Sequence, residues 1–75
     1  YSDTNQYQKV LAIWQTRVEK NPTSAKNYIG LGATYLTLGQ RAKSIEAIQK
    51  AIGLDSSFKD QGEYYIREIR AGRNP

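Results

Sequence analysis

The sequence has no cysteine and no histidine among its 75 residues, and only two prolines. Without these side chains there is no disulfide, thiolate nucleophile or imidazole base, and the usual zinc ligands are missing. No apolar run approaches the roughly 18 residues that a membrane-spanning helix needs. These absences remove much catalytic and metal chemistry. We therefore predict no enzyme, no cofactor, no metal site and no membrane insertion by this segment.

Acidic residues are also few, seven against eleven basic ones, which gives a net charge of +4. Acid–base catalysis needs two carboxyl groups held together in a cleft, but these are scattered along the chain. Glu46 and Glu63 each have a basic residue four positions later, Lys50 and Arg67, as on a solvated helix face. The charge is mildly basic and does not form a polybasic tail.

Hydrophobic spacing predicts four helices, at about residues 4–19, 25–38, 41–53 and 58–71, and no segment alternates as a strand would. Asn21-Pro22 ends the first helix, because the residue before proline avoids the α region. Gly39 is a natural left-handed terminator of the second. Gly72 and then Pro75 close the fourth. An all-α, single-domain chain is predicted over residues 1–75.

The predicted core follows one stripe on each helix, and two N-terminal caps are predicted. Asp3, with Gln6 three residues later, is the cap of the first helix, and Ser57 with Asp60 is an approximate cap of the fourth. The stripes consist of Tyr7, Val10, Leu11, Trp14 and Val18; Tyr28, Leu31, Gly32 and Tyr35; Ile45, Ile48 and Ile52; and Phe58, Tyr65, Ile66 and Ile69.

Gly30-x-Gly32 invites a nucleotide-binding interpretation, which the surrounding residues exclude. A dinucleotide fingerprint needs a third glycine where Tyr35 stands and a preceding strand, and a Walker loop needs Gly-Lys-Ser/Thr. Gly32 is instead predicted to allow a close approach of the facing helix. Gly30 has no such explanation from the sequence, and we keep the hypothesis that a partner's backbone approaches there.

The breaks Asn21-Pro22 and Asp55-Ser56 lie 34 residues apart, and 34 residues is the length of the tetratricopeptide repeat. The central segment resembles that family. The matching positions are Tyr28, Leu31, Gly32, Tyr35, Gly39, Ser44, Ile48, Ala51, Leu54 and Asp55, with Ser56 in place of the usual proline.

The resemblance implies a half repeat at residues 4–22, a full repeat at 25–58 and a terminal capping helix at 58–71, all built from antiparallel helix pairs. The segment from Leu54 to Gly72 also resembles, less specifically, the repeat-bearing tails of bacterial O-antigen ligase-type membrane proteins. The sequence shows no signal-peptide pattern. Because the chain begins with Tyr1 rather than Met, we expect a processed product or a fragment of something larger. A cell-surface or membrane-tethered bacterial location is compatible with the resemblance.

In such arrays the outward side of the first helices forms the inner, partner-binding surface. The resemblance places this surface at Lys26, Ile29, Ala33, Leu36 and Thr37. Ile29 and Ala33 stand where family members that grip carboxylates carry Lys and Asn, so the partner class of those members is disfavoured. The remaining apolar patch suits an apolar helix or another copy of the chain.

The expected function is therefore protein–protein interaction, with the chain stacking head to tail into a filament through its two unpaired ends. Candidate contact residues are Trp14, Tyr64 and Ile66, and the structural positions are Gly32, Tyr35, Gly39 and Ala51. A peptide-binding adaptor tail is the alternative. A weaker one is an anionic polymer or lipid bound by Arg67, Arg70 and Arg73; nucleic acid is disfavoured because acidic residues interrupt their arc.

Overall fold

The computed structural model describes the backbone of residues 2–73 and the side chains of residues 6–73. It contains four α-helices and, within that range, no strand: α1 (Ser2–Lys20), α2 (Ala25–Thr37), α3 (Arg41–Leu54) and α4 (Lys59–Arg70). A short 3-10 turn, Ser56–Phe58, precedes α4. The predicted all-α fold of four helices is thus confirmed, with helix ends within about two residues of those expected. Pro75 lies outside the described residues.

The helices end where the sequence punctuation predicts. α1 stops one residue before Asn21-Pro22. After α2 the chain enters the left-handed region at Gly39, φ +80°, and the Gln40 amide donates to the Tyr35 carbonyl at 2.8 Å. Gly72, φ +83°, ends α4 in the same way. Both terminations use the Schellman arrangement, in which glycine adopts positive φ without a Cβ clash.

The two predicted N-terminal caps are wrong. α1 already includes Ser2, so Asp3 lies inside its first turn and does not precede it. Ahead of α4 the cap is Asp55, whose Oδ1 accepts hydrogen bonds from the backbone N–H of Ser57 at 3.0 Å and from its hydroxyl at 2.7 Å. The 3-10 turn shifts the start of α4 to Lys59, which leaves Phe58, with no side-chain cap bond, in the flanking position.

Consecutive helices pack antiparallel to one another. Arg17 and Trp14 of α1 contact Asn27 and Gly30 of α2 respectively, so the contacts advance along one helix as they retreat along the other. Between α3 and α4 the Arg41 guanidinium donates to the carbonyl of Ile69 at 3.2 Å, which joins the start of one helix to the end of the next. Short connections favour this arrangement.

A glycine lies at each of the three helix–helix interfaces. A Cβ added at Gly30 would lie 2.6 Å from the Trp14 ring, and one at Gly32 would lie 3.1 Å from Ile48 Cγ1. A Cβ at Gly62 of α4 would lie 2.7 Å from Cδ1 of Ile52. Each glycine therefore allows a large side chain of the neighbouring helix to approach its backbone.

The core consists of two clusters on either side of α3, in a slab with extents of 36 × 32 × 14 Å. Leu11, Leu31 and Ala47 join α1, α2 and α3. Ile48, Ile66 and Ile69 join α3 to α4, with Ile29 and Leu36 of α2 packed against them. α3 thus contributes to both clusters through adjacent residues, Ala47 and Ile48.

The core stripe predicted for α1 is only half correct. Leu11 is buried and Trp14 and Val18 are half-buried, but Tyr7 is 43% and Val10 38% exposed. Among the described residues α1 has neighbouring helices on one side only, and the N-terminal part of the stripe finds no packing partner there. Glu46, Lys50, Glu63 and Arg67 are all exposed, as predicted for solvated helix faces, although neither pair forms an ion pair. Glu68–Arg73 is the salt bridge found in the described part of the chain.

Candidate functional site

A groove of about 340 Å³ runs between α2 and α4. Ile29, Ala33, Leu36 and Thr37 form its α2 wall, and these are four of the five residues assigned from the resemblance to an inner surface. The fifth, Lys26, is exposed but belongs to a separate depression beside the turn at Asp55. Without Lys26, the residues assigned from the resemblance therefore form one contiguous surface.

The other side of the groove comes from residues that sequence reasoning placed only in the core. Tyr65 and Ile69 of α4 form the opposite wall, and Ser44 and Ile48 of α3 form the floor. From the sequence alone each belongs to a predicted packing stripe or to a repeat position. The distance between α2 and α4, which decides that they also line a groove, is not encoded in helical periodicity.

The groove carries no ionic side chain in its lining, and each of its three side-chain hydroxyls already takes part in one hydrogen bond. The Ser44 hydroxyl donates to the Gly32 carbonyl at 2.7 Å, and Thr37 donates to the Ala33 carbonyl at 3.0 Å. The Tyr65 hydroxyl accepts from Gln61 Nε2 at 2.7 Å. An occupant consequently meets mainly apolar carbon, which favours apolar over charged groups.

The hypothesis that a partner's backbone approaches Gly30 needs correction, because a side chain of α1 occupies the space beside this glycine. The outer edge of the Trp14 indole lies against it, at the 2.6 Å that excludes a Cβ, while the Arg17 guanidinium lies 4.8 Å from the ring centroid on α1 itself. Trp14, a candidate assembly contact, is half-buried in this α1–α2 packing. Neither residue belongs to the groove.

The remaining candidate contacts, Tyr64 and Ile66, also lie outside the groove. Tyr64 is 46% exposed and lies off the α4 stripe as expected, with its ring centroid 5.8 Å from that of Tyr65. Ile66 is buried and forms part of an open depression with Ile52, bordered by Glu63, Arg67 and Arg70. Among the structural positions, Ala51 is fully buried, and Tyr35 packs half-buried between α1 and α3.

The three C-terminal arginines are not equivalent. Arg73 forms a bidentate pair with Glu68, at 2.6 Å and 2.8 Å, which is the geometry of a strong carboxylate–guanidinium contact. This hydrogen bonding holds the pKa of Glu68 below its usual range. Arg67 and Arg70 stay exposed beside Glu63. Of the predicted cationic triplet, Arg67 and Arg70 are therefore the two that form no ion pair within the described part of the chain.

No family model matches the chain, and neither the curated proteins nor the solved structures include a match. Within residues 2–73 no helix is both long and apolar enough to cross a bilayer. The same part of the chain has no group of three acidic side chains arranged to hold a metal ion.

Proposed function

We propose that the chain is a non-enzymatic protein–protein interaction module of the tetratricopeptide type, and that it binds through the groove between α2 and α4. The observation that carries this proposal is the convergence of Ile29, Ala33 and Leu36 on one wall with Tyr65 and Ile69 on the other. These residues come from two helices that are far apart in sequence, so they form one surface only in the folded chain.

The proposed occupant is an apolar segment of a protein partner. Besides the Ser44 and Thr37 hydroxyls, the lining offers aliphatic carbon and one tyrosine ring and no charged group, so a peptide's apolar side chains would lose water without leaving an ion unpaired. Helices that present apolar residues at i, i+3 and i+4 commonly bind such grooves. As the resemblance implies, the chain would act as an adaptor or as the tail of a larger protein.

A selection of random peptides displayed against the folded chain tests this proposal. Peptides with apolar side chains at helical spacing should be enriched. Ala33→Glu, which adds a carboxylate to an exposed position on the groove wall, should abolish their capture. The matched control is Ala42→Glu, at an exposed α3 position that is not part of the groove. Equal capture by both variants would rule out the groove.

Ala33 is a cleaner site for this test than its neighbours. Ile29 and Leu36 also pack against the buried cluster around Ile48, so the double change Ile29→Glu with Leu36→Glu would remove core contacts together with the binding surface. That double variant is informative only if its helical content equals that of the unmodified chain. The double variant therefore serves as a supporting test, with its helical content measured by circular dichroism.

Head-to-tail stacking into a filament is a second candidate function. The observation in its favour is apolar surface at both ends, with Tyr7 and Val10 exposed on α1 and Ile52 and Ile66 in the depression beside α4. Stacking would join these surfaces without closing a ring. Sedimentation or electron microscopy at high protein concentration should show growing assemblies, and compact monomers throughout would contradict it.

Two weaker proposals remain from the sequence. A bacterial membrane-anchored or cell-surface protein could bear the chain as a binding tail, in which case the groove would still be the binding surface. Binding of an anionic polymer or lipid would rely on Arg67 and Arg70, because Glu68 already engages Arg73. Such binding should weaken steeply with salt, whereas a flat response would remove this proposal.

A further inference from the structure

α1 carries a row of exposed apolar side chains that turns from the stripe facing α2 round to the opposite side of the helix. Tyr7, Val10 and Ile13 follow one another every three residues and are 43%, 38% and 52% exposed. Together with the basic residues beside them, we call Val10 and Ile13 the open face of α1. This surface is separate from the groove and does not depend on its function.

The chain itself shows what covers the corresponding face of another helix. Shifted by the 34-residue spacing, Val10 and Ile13 correspond to Ser44 and Ala47 of α3, which are 0% and 6% exposed. Both lie against α2, where a Cβ at Gly32 would lie 3.2 Å from the Ser44 carbonyl oxygen and 3.5 Å from Ala47 Cβ. An antiparallel helix is therefore the shape that fits the open face.

The size of the residues constrains this helix. Ser44 and Ala47 are small and meet a glycine, whereas Val10 and Ile13 are large. A helix that approaches them closely must then carry small residues, such as alanine, at the positions in contact, since large side chains on both helices would hold the backbones apart.

The charges around the open face constrain it further. With 100° between successive residues of a helix, Lys9, Arg17 and Lys20 fall within the same arc of about 100° as Val10 and Ile13. All three are exposed, and Glu19, the acidic residue among the described side chains of α1, falls outside that arc. Carboxylates at the flanks of a docked helix would lie beside these cations.

A second copy of the chain offers apolar surface at this face but not the matching charge. Stacking would bring α4 to the open face, and the exposed border of α4 carries Arg67 and Arg70 together with Glu63. Guanidinium groups would then face Arg17 and Lys20, and each copy also carries a net charge of +4. We infer that the open face of α1 docks an acidic amphipathic helix of another protein, with small apolar residues at the contact and carboxylates on its flanks.

Two designed peptides of about five helical turns, the length of α1, test this inference. Both carry alanine at the contact positions of one stripe; one has glutamates along the flanks, and the other has lysines at the same places. Fluorescence anisotropy of the labelled peptides should show binding of the glutamate peptide, weakening as salt rises, and no binding of the lysine peptide.

Ile13→Asp should weaken binding of the glutamate peptide by about tenfold or more. The substitution puts a charged carboxylate into the apolar contact and adds repulsion from the glutamates on the flanks of the peptide. Ile13 is half exposed, so the variant should fold, as circular dichroism can verify. Tyr64→Asp, at an exposed position on the other end, is the matched control and should bind as the unmodified chain does. Lys20→Gln should reduce the salt dependence.

Three results would overturn the inference: equal binding of the two peptides, binding of neither, and unchanged binding by Ile13→Asp. Sedimentation of the chain alone supplies a fourth. If the chain self-associates more strongly as salt rises, and Ile13→Asp abolishes that association, the open face is occupied by a second copy and not by an acidic helix.

Discussion

The indole ring of Trp14 lies against the backbone of Gly30, so close that a Cβ at position 30 would be 2.6 Å from three of its ring atoms. Real Cβ contacts essentially never come within 3.0 Å. α1 and α2 are thus joined by the insertion of a large aromatic ring into a space that only glycine provides. Glycine in a helix interior costs about 1 kcal/mol relative to alanine, so this contact offsets a local penalty.

Gly30→Ala should destabilise the chain, although alanine is the better helix former. Overpacking against the ring costs about 1–3 kcal/mol, which equals or exceeds the helix propensity gain of about 1 kcal/mol. In a Trp14→Leu background the ring is absent, and the same change should become neutral or stabilising. Denaturant unfolding of the four combinations measures this coupling. Additive effects would contradict the contact.

Gly53→Ala is the matched control for that experiment. Gly53 is also helical, but nothing lies within 4 Å of an added Cβ and the residue is exposed. This substitution should raise the free energy of unfolding by up to about 1 kcal/mol through helix propensity alone. A loss of stability at position 53 would show that glycine is needed there for a reason other than space.

Gly32→Leu should be more harmful than Gly30→Ala. Even a Cβ at position 32 would lie 3.2 Å from the Ser44 carbonyl oxygen, and a leucine adds further carbons to a buried interface between α2 and α3. We expect a loss of about 1–3 kcal/mol or more, measured as a lower denaturant midpoint. Stability equal to that of the unmodified chain would refute the close approach of the two helices.

Ser57→Ala should raise the pKa of Asp55 toward its usual range. Hydrogen bonds from the Ser57 hydroxyl and backbone N–H lower that pKa in the folded chain. A carboxyl group with a lowered folded pKa stabilises fully above its unfolded pKa, and this contribution is lost as pH falls through the folded value. NMR titration of the Asp55 carboxyl carbon measures the shift, and Ser56→Ala should leave it unchanged.

Glu68→Gln should increase the affinity of the chain for polyanions. The change removes one negative charge and the carboxylate that binds Arg73 in a bidentate pair, so that Arg73 can join Arg67 and Arg70. Polyphosphate retention across a salt series measures the effect, with Glu19→Gln, on α1, as a control of equal charge. If both variants gain equally, net charge and not the release of Arg73 is responsible.

Helix number, helix ends and most core stripes could be predicted because they depend on local spacing and on glycine or proline at fixed places. Gly39 shows this, since its left-handed φ follows from its position directly after Leu38, the residue that flanks the C-terminal end of α2. The role of Gly30 could not be predicted, because it depends on the side chain that α1 brings to it. Tyr7 and Val10 have helical spacing of a core face, but spacing does not tell whether a neighbouring helix is there to cover it.

The candidate groove was half predictable for the same reason. Ile29, Ala33 and Leu36 share one face of α2 and could be grouped from the sequence. Tyr65 and Ile69 face them only because α3 holds α4 at the required distance, through Ile48. That distance depends on packing across two interfaces, one of which needs the glycine at position 62.

The most direct test of the proposed function is an NMR titration of the isotope-labelled chain with a peptide obtained by the display selection. We predict that the largest shift changes occur at Ala33, Leu36 and Ile69, on both walls of the groove, and that Ala33→Glu removes them. Changes confined to the open face of α1, or no changes at saturating peptide, would contradict the assignment of the groove as the binding surface.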